Sequence, residues 1–139
     1  MKFKKLTPNF SVRNVKESVR FYQDILGFKL EIVVPNGTNA IEKEISEDKE
    51  YSTAMMRKDE VFVMFLQHDY VEKTTPLLEA TSERAPVLFY VDISGIDELY
   101  TGLKGKVAIE KEIETTWYGM REFYIKDCNG YLLGFGERA

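Results

Sequence analysis

The same order of secondary-structure elements is predicted twice along the chain, and this repeat limits the possible folds more than any other feature of the sequence. Alternating apolar residues predict a strand at 6–12, a helix begins at Asn14, and further strands run to Gln67. After a polar linker, a strand at 87–91 is followed by a second helix and more strands. We interpret this order as a degenerate internal duplication. Helices on one face of each sheet leave the other face to be covered or to line a cavity.

Capping residues define the two predicted helices. Asn14 is the expected N-cap of the first helix, with Glu17 at the third helical position, as in a capping box. Gly27 is expected to end this helix in a left-handed conformation. Ser94 is the expected cap of the second helix, which Gly105 ends.

Composition favours a globular domain and argues against some partners. The chain is 44% hydrophobic and 13% aromatic, as folded proteins are. Its net charge of -4 argues against nucleic acid or an anionic membrane as a partner, and no apolar run approaches the ~20 residues of a membrane span. Cys128 is the only cysteine, so no intrachain disulfide forms, and a cytoplasmic location is expected. The polar, acidic segment 36–50 is expected to be a mobile excursion.

Two motifs near opposite ends of the chain resemble those of one protein family. Residues 12–22 (VRNVKESVRFY) and 24–28 (DILGF) are similar to its opening patterns, V-x-D-hydrophobic-x-x-S-hydrophobic-x-F-Y and D-x-L-G-F. Residues 119–130 (GMREFYIKDCNG) are similar to W-G-M-R-E-F-x-x-x-D-P-D-G, and residues 91–100 fit its second helix. The chain is therefore identified as a member of the glyoxalase/bleomycin-resistance/extradiol dioxygenase (vicinal oxygen chelate) superfamily, closest to the bleomycin-resistance-like branch.

The resemblance implies an α+β fold in a single domain over residues 1–139. Two βαβββ modules, at about 5–67 and 86–136, would be joined by a linker at 68–85. Their mixed sheets would curl around a cleft, with the helices on the outside. The family includes metal enzymes and metal-free proteins that bind antibiotics, and its chains commonly form homodimers.

The metal-binding members take ligands from four strand positions, which motif register places at Thr7, Met64, Pro86 and Gly134. Divalent metals in such sites need histidine nitrogen or carboxylate oxygen, which none of these residues supplies. We therefore predict that the metal site is vacated and that no cofactor is bound. His68, the only histidine, is interpreted as a solvated loop residue.

Strand alternation divides the side chains between the cleft and the helices. The residues expected to face the cleft are Thr7, Asn9, Ser11, Phe62, Met64, Leu66, Leu88, Tyr90, Glu122, Tyr124, Leu132 and Gly134. The residues expected to pack on the helices are Phe10, Val12, Val61, Val63, Phe65, Val87, Phe89, Phe123, Ile125, Leu133 and Phe135. The first set is largely apolar and aromatic, which favours a pocket for an organic ligand; the alternative is that these rings fill the cleft as core.

The residues predicted to bind the ligand are Asn9, Phe62, Met64, Tyr90, Trp117, Tyr118, Glu122 and Tyr124. Trp117 and Tyr118 are expected to stack on a planar or cationic compound. Glu122 has three open interpretations: a base with a raised pKa, a partner of Arg121 or Lys126, or an attractor of a cationic ligand. No catalytic residue is identified, and Glu122 and Tyr124 are the only candidates.

These features predict a metal-independent protein that binds an aromatic or cationic small molecule. A more specific version of this hypothesis is that the protein sequesters an antibiotic and so confers resistance. The expected assembly is a homodimer. Catalysis is not favoured, because no second acid, base or nucleophile converges on the cleft. Two alternatives stay open: a superfamily lyase, isomerase or dioxygenase with non-standard metal ligands, and a domain used only for protein association.

Overall fold

A computed structural model describes residues 1–74 and 87–139. The chain divides into two compact units, residues 1–83 and 84–139. Each unit has a four-stranded mixed sheet, which agrees with the predicted α+β class and the predicted duplication. In the described ranges no helix is both long and apolar enough to cross a membrane.

The first unit begins with a strand–helix pair and continues with three strands and a short helix. Its elements are β1 (Asn9–Val12), α1 (Val15–Asp24), β2 (Lys29–Pro35), β3 (Tyr51–Lys58), β4 (Val61–Gln67) and α2 (His68–Thr74). The sheet order is β1-β4-β3-β2, with β1 parallel to β4 and the other pairs antiparallel. The first strand starts at Asn9, later than predicted, so Thr7 precedes it.

The second unit repeats this topology with one helix. Its elements are β5 (Leu88–Asp92), α3 (Ile96–Leu103), β6 (Ala108–Thr115), β7 (Met120–Lys126) and β8 (Leu132–Arg138). The order is β5-β8-β7-β6, and β5 runs parallel to β8. The equivalent pair in the first unit, β1 and β4, is also parallel, which supports the duplication.

The N-cap residue and the C-terminal glycine of α1 follow the sequence prediction, whereas the Glu17 side chain binds Arg13 instead of completing a capping box. Asn14 caps the helix, because its side-chain oxygen accepts a hydrogen bond from the Glu17 N–H at 2.9 Å. The Glu17 carboxylate pairs with Arg13 at 2.8 Å. Gly27 follows the helix with a φ of 76°, the left-handed conformation that glycine adopts without strain.

The start of α3 differs from the prediction. Gly95, rather than Ser94, is the N-cap residue, and it has no side chain to accept a hydrogen bond. The carboxylate of Glu137 on β8 replaces it, accepting from the N–H groups of Gly95 and Ile96, both at 3.0 Å. A carboxylate there also interacts favourably with the positive end of the helix dipole. The Ser94 prediction was wrong because the cap comes from a residue distant in sequence.

The helix-facing sides of both sheets form the cores of their units. Most residues assigned to that side are buried: Phe10, Val12, Val63, Phe65, Phe123, Ile125, Leu133 and Phe135. The ring of Tyr22 on α1 packs on Phe65 with centroids 4.9 Å apart, and Tyr100 on α3 packs on Phe123 at 5.1 Å. Three are not buried: Val61 and Phe89 are half-buried, and Val87, which precedes β5, is 55% exposed.

Two predictions about loops need correction. The segment 36–50 is fixed to its unit: Glu42 bridges to Val33, the Tyr51 hydroxyl accepts from the Ser46 N–H at 2.7 Å, and Lys16 pairs with Glu50 at 3.2 Å. It is therefore not a free excursion. The predicted linker 68–85 begins with α2, and its residues 75–85 lie outside the described residues.

Candidate functional site

A buried carboxylate organises the face of the second unit's sheet that lies opposite α3. Glu122 on β7 is fully buried. Its Oε2 accepts a hydrogen bond from the Tyr90 hydroxyl at 2.6 Å, and its Oε1 accepts from Lys111 Nζ at 2.7 Å and from the Tyr118 hydroxyl. The Tyr124 hydroxyl lies 3.5 Å from the same Oε1. We call Tyr90, Lys111, Tyr118, Glu122 and Tyr124 the Glu122 cluster.

Two glycines on β8 make room for this cluster. Tyr90 and Tyr124 both pair with Gly134 in the sheet register. A methyl group at Gly134 would lie 3.1 Å from both rings, and one at Gly136 would lie 2.0 Å from the Tyr90 hydroxyl oxygen. The Tyr90 ring therefore extends over the glycines to reach Glu122. Tyrosine rings therefore occupy the space over Gly134, one of the positions that motif register assigned to a metal ligand.

Replacing Gly136 with alanine is expected to destabilise the protein by about 1–3 kcal/mol, because the Tyr90 ring must shift away from its hydrogen bond with Glu122. Urea unfolding measures this change. Gly102→Ala is the control, since a methyl group there meets nothing within 4 Å and lies in α3. It should stabilise the protein by about 0.5–1 kcal/mol. Equal effects of the two substitutions would contradict the proposed packing.

The surroundings of Glu122 keep it ionised. Burial raises the pKa of its carboxyl, but hydrogen bonds from Lys111, Tyr118 and Tyr90 outweigh this effect and lower the pKa to about 2. The same carboxylate raises the pKa of the Lys111 ammonium. Burial and the bond to Glu122 raise the pKa of the Tyr90 hydroxyl. The lowered pKa of Glu122 argues against the interpretation of this residue as a base with a raised pKa.

The partner of Glu122 also differs from the two considered. Arg121 pairs with Asp97 at 2.7 Å, and Lys126 lies 3.7 Å from Glu110. Lys111 bridges two carboxylates that face each other across β6 and β7, since its Nζ also lies 3.1 Å from Glu114 Oε1. Sequence reasoning missed Lys111 because register shifts on both sides of it disrupt the alternation of β6.

An exposed tryptophan lies beside the Glu122 cluster. Trp117 is 95% exposed in the turn between β6 and β7, and its ring stands nearly perpendicular to that of Tyr118, with centroids 5.2 Å apart. Tyr118 is 48% exposed and is fixed through its hydroxyl by Glu122. Gly119 follows with a φ of 80°. The turn therefore holds one anchored ring and one open ring.

The remaining predicted ligand residues belong to the first unit. Asn9 and Met64 are register partners in the parallel ladder of β1 and β4. The Asn9 side chain donates to the Thr7 carbonyl at 2.9 Å. Phe62 is half-buried, with Lys5 Nζ 3.6 Å from its ring centroid and Arg57 Cζ at 5.3 Å. Of the eight predicted residues, Tyr90, Tyr118, Glu122 and Tyr124 thus form one cluster, with Trp117 beside it.

The positions implied for a metal do not fit one. Thr7 offers only a hydroxyl and Met64 only a thioether. Gly134 has no side chain, and the rings of Tyr90 and Tyr124 cover it. Pro86 lies outside the described residues. Within residues 1–74 and 87–139, no three His, Cys, Asp or Glu side chains group to hold an ion. His68 begins α2, and its Nδ1 lies 2.6 Å from the Ser11 hydroxyl.

Comparison with known proteins gives a family and a fold. A family model described as Glyoxalase/Bleomycin resistance protein/Dioxygenase superfamily matches residues 7–135. A protein of unknown function from Agrobacterium tumefaciens str. C58 is 20% identical, with a TM-score of 0.69, and the match covers 100% of this chain and 97% of that one. A glyoxalase/bleomycin resistance protein/dioxygenase from Nocardioides is 15% identical, with a TM-score of 0.71 and coverage of 99% and 85%. A glyoxalase-related enzyme from Clostridium phytofermentans is 18% identical, with a TM-score of 0.68 and coverage of 100% and 98%. No curated protein matches.

Proposed function

The chain belongs to the Glyoxalase/Bleomycin resistance protein/Dioxygenase superfamily, and from this we propose that it binds a small organic molecule without a metal ion. The observation that carries the proposal is the Glu122 cluster. Tyr90 and Tyr118 are 40% and 48% exposed, yet both hydroxyls are fixed by one buried carboxylate. Rings held in this way present a rigid aromatic surface, which loses little conformational entropy when a ligand binds.

The chemistry of the cluster favours binding over catalysis. The lowered pKa of Glu122 makes its carboxylate a weak base, and Lys111 already neutralises it. The raised pKa values of Tyr90 and Tyr118 keep both phenols protonated at neutral pH. None of the three therefore exchanges a proton readily near pH 7.

The ion pair between Lys111 and Glu122 favours an aromatic ligand over a cationic one. Glu122 is buried and neutralised, so it attracts an incoming cation little. Trp117 offers an open indole ring for stacking beside the anchored ring of Tyr118. Sequestration of an aromatic antibiotic is the specific form of this proposal. The homodimer and the cytoplasmic location stay predictions, the first to be checked by sedimentation equilibrium.

Fluorescence of Trp117, the only tryptophan, tests the proposal. Titration with bleomycin and a library of planar aromatic compounds is expected to change its emission for at least one compound and to raise the melting temperature. Tyr124→Ala should weaken that binding at least roughly tenfold, as expected for the loss of a central aromatic contact. Tyr124→Phe, which keeps the ring, should retain it.

The control is Tyr70→Ala, which removes an exposed tyrosine from α2 in the first unit and should leave affinity unchanged. If the whole library changes neither emission nor melting temperature, the binding proposal fails. About one equivalent of Zn, Ni, Fe or Mn per chain, found by elemental analysis after purification without chelator, would contradict metal independence and favour the enzyme alternative.

A further inference from the structure

A basic hollow of about 350 Å³ lies at one end of the first unit's sheet. It shares no residue with the Glu122 cluster, which belongs to the second unit. It is lined by Gly27, Lys29, Glu31, Arg57, Lys58 and Asp59. We infer that it is a binding site for the oxyanion group, a phosphate or carboxylate, of a small molecule. This inference is independent of the proposed aromatic surface.

The arrangement of two cations carries the inference. Lys29 on β2 and Arg57 on β3 are direct register partners, which places their Cβ atoms roughly 5 Å apart on one face. Like charges opposite each other destabilise a sheet. Across residues 1–74 and 87–139, neither they nor Lys58 forms an ion pair that would relieve the repulsion. A bound anion would relieve it.

The side chain of Arg57 is positioned to bind an oxyanion. Its Nε donates to the Asp59 carbonyl at 2.7 Å, so the guanidinium is anchored from one edge and its terminal nitrogens stay available. A guanidinium donates two parallel hydrogen bonds to a carboxylate or phosphate, which a lysine cannot do. Lys58 lies near the end of α1, its Nζ 3.1 Å from a methyl group placed at Gly27, which adds positive charge.

The neighbouring residues define the kind of molecule. Arg57 also pairs with Phe62 on β4, on the same face, and Lys5 Nζ lies over that ring. Phe62 does not line the hollow, but as the register partner of Arg57 it lies next to it, so an aromatic or apolar body attached to the oxyanion would extend from the cations towards this ring. Glu31 and Asp59 also line the hollow and oppose an anion, but three cations outnumber them. Removing the Glu31 charge should therefore strengthen binding.

The test uses phenyl phosphate, benzoate and inorganic phosphate as probes of the full chain at low ionic strength, followed by ¹H–¹⁵N NMR titration. Phenyl phosphate or benzoate should bind more tightly than inorganic phosphate and shift the signals of residues 29, 31 and 57. Lys29→Gln and Arg57→Gln should each weaken binding at least roughly tenfold. Glu31→Gln should tighten it, which tests the site with a gain rather than a loss.

Lys106→Gln is the control, because this exposed lysine lies in the second unit. Lys29→Gln should also raise the melting temperature of the unliganded protein, as relief of the repulsion requires.

Tighter binding of inorganic phosphate than of both aromatic probes would overturn the assigned ligand class. Equal affinities in the wild type, Arg57→Gln and Lys106→Gln, or no saturable binding of any probe at millimolar concentration, would overturn the site. Tyr124 does not line this hollow, so Tyr124→Ala should leave oxyanion binding unchanged. The oxyanion site and the proposed aromatic surface can therefore be refuted independently of each other.

Discussion

Replacing Lys111 with methionine is expected to lower the free energy of unfolding by about 3–5 kcal/mol, the usual cost of leaving a buried charge without its partner. Lys111 is the cation that balances Glu122, which is fully buried. It also separates Glu122 from Glu114, its register partner on β6. The methionine would keep the bulk of the side chain but leave the two carboxylates facing each other. Chemical denaturation at pH 7 measures the change.

Lys126→Met is the matched control, since Lys126 makes a longer ion pair of 3.7 Å with Glu110 and is half exposed. Surface pairs of this kind contribute about 0–1 kcal/mol. The double variant Lys111→Met with Glu122→Gln should recover part of the loss, because no buried charge then remains. If Lys111→Met and Lys126→Met cost the same, the electrostatic role assigned to Lys111 is wrong.

The second large effect is a loss of stability in acid. The pKa of Glu122 is about 2 in the folded protein, whereas the ordinary value is 4.5. Between these pH values the unfolded chain binds a proton that the folded protein does not, so acidification favours unfolding. The stabilisation is fully present above about pH 5 and is lost as the pH falls towards 2. A pKa difference of this size corresponds to about 3 kcal/mol.

Other carboxylates also titrate in this range, so the informative quantity is the difference between the wild type and Glu122→Gln. The pKa values of Asp48 and Asp97, for example, are lowered by their hydrogen bonds with Ser46 and Arg121. Unfolding free energies measured from pH 7 to pH 2 should fall more steeply for the wild type, and the two curves should approach each other in acid. Parallel curves would mean that Glu122 titrates normally.

The parts of the fold that depend on local pattern could be predicted from the sequence. The helix-facing residues follow from the alternation of side chains along β4, β7 and β8, and α1 follows from its own capping residue. The start of α3 could not be predicted in the same way, because Glu137 lies 41 residues from the Ile96 N–H that it binds. Segment 36–50 was misjudged for a similar reason: the contacts of Lys16 and Tyr51 that fix it are not visible in its polar composition.

For the candidate site, the sequence predicted which residues share a face of the second unit's sheet but not their chemistry. Parity placed Tyr90, Glu122 and Tyr124 on one face, and they do lie together. The protonation of Glu122 depends on Lys111, whose orientation is set by irregular pairing in β6 that no alternation rule describes. The basic hollow escaped notice because the sequence does not state which residues of β2 and β3 are register partners.

The cap that Glu137 provides for α3 affects the order in which the elements of the second unit become stable during folding. A helix of eight residues is marginal by itself in water. Its first amide groups find their acceptor on β8, which is synthesised after β6 and β7. During translation α3 therefore emerges without its cap, and its final stability is acquired when β8 joins the sheet. The helix and the last strand are expected to gain protection from hydrogen exchange together rather than in chain order.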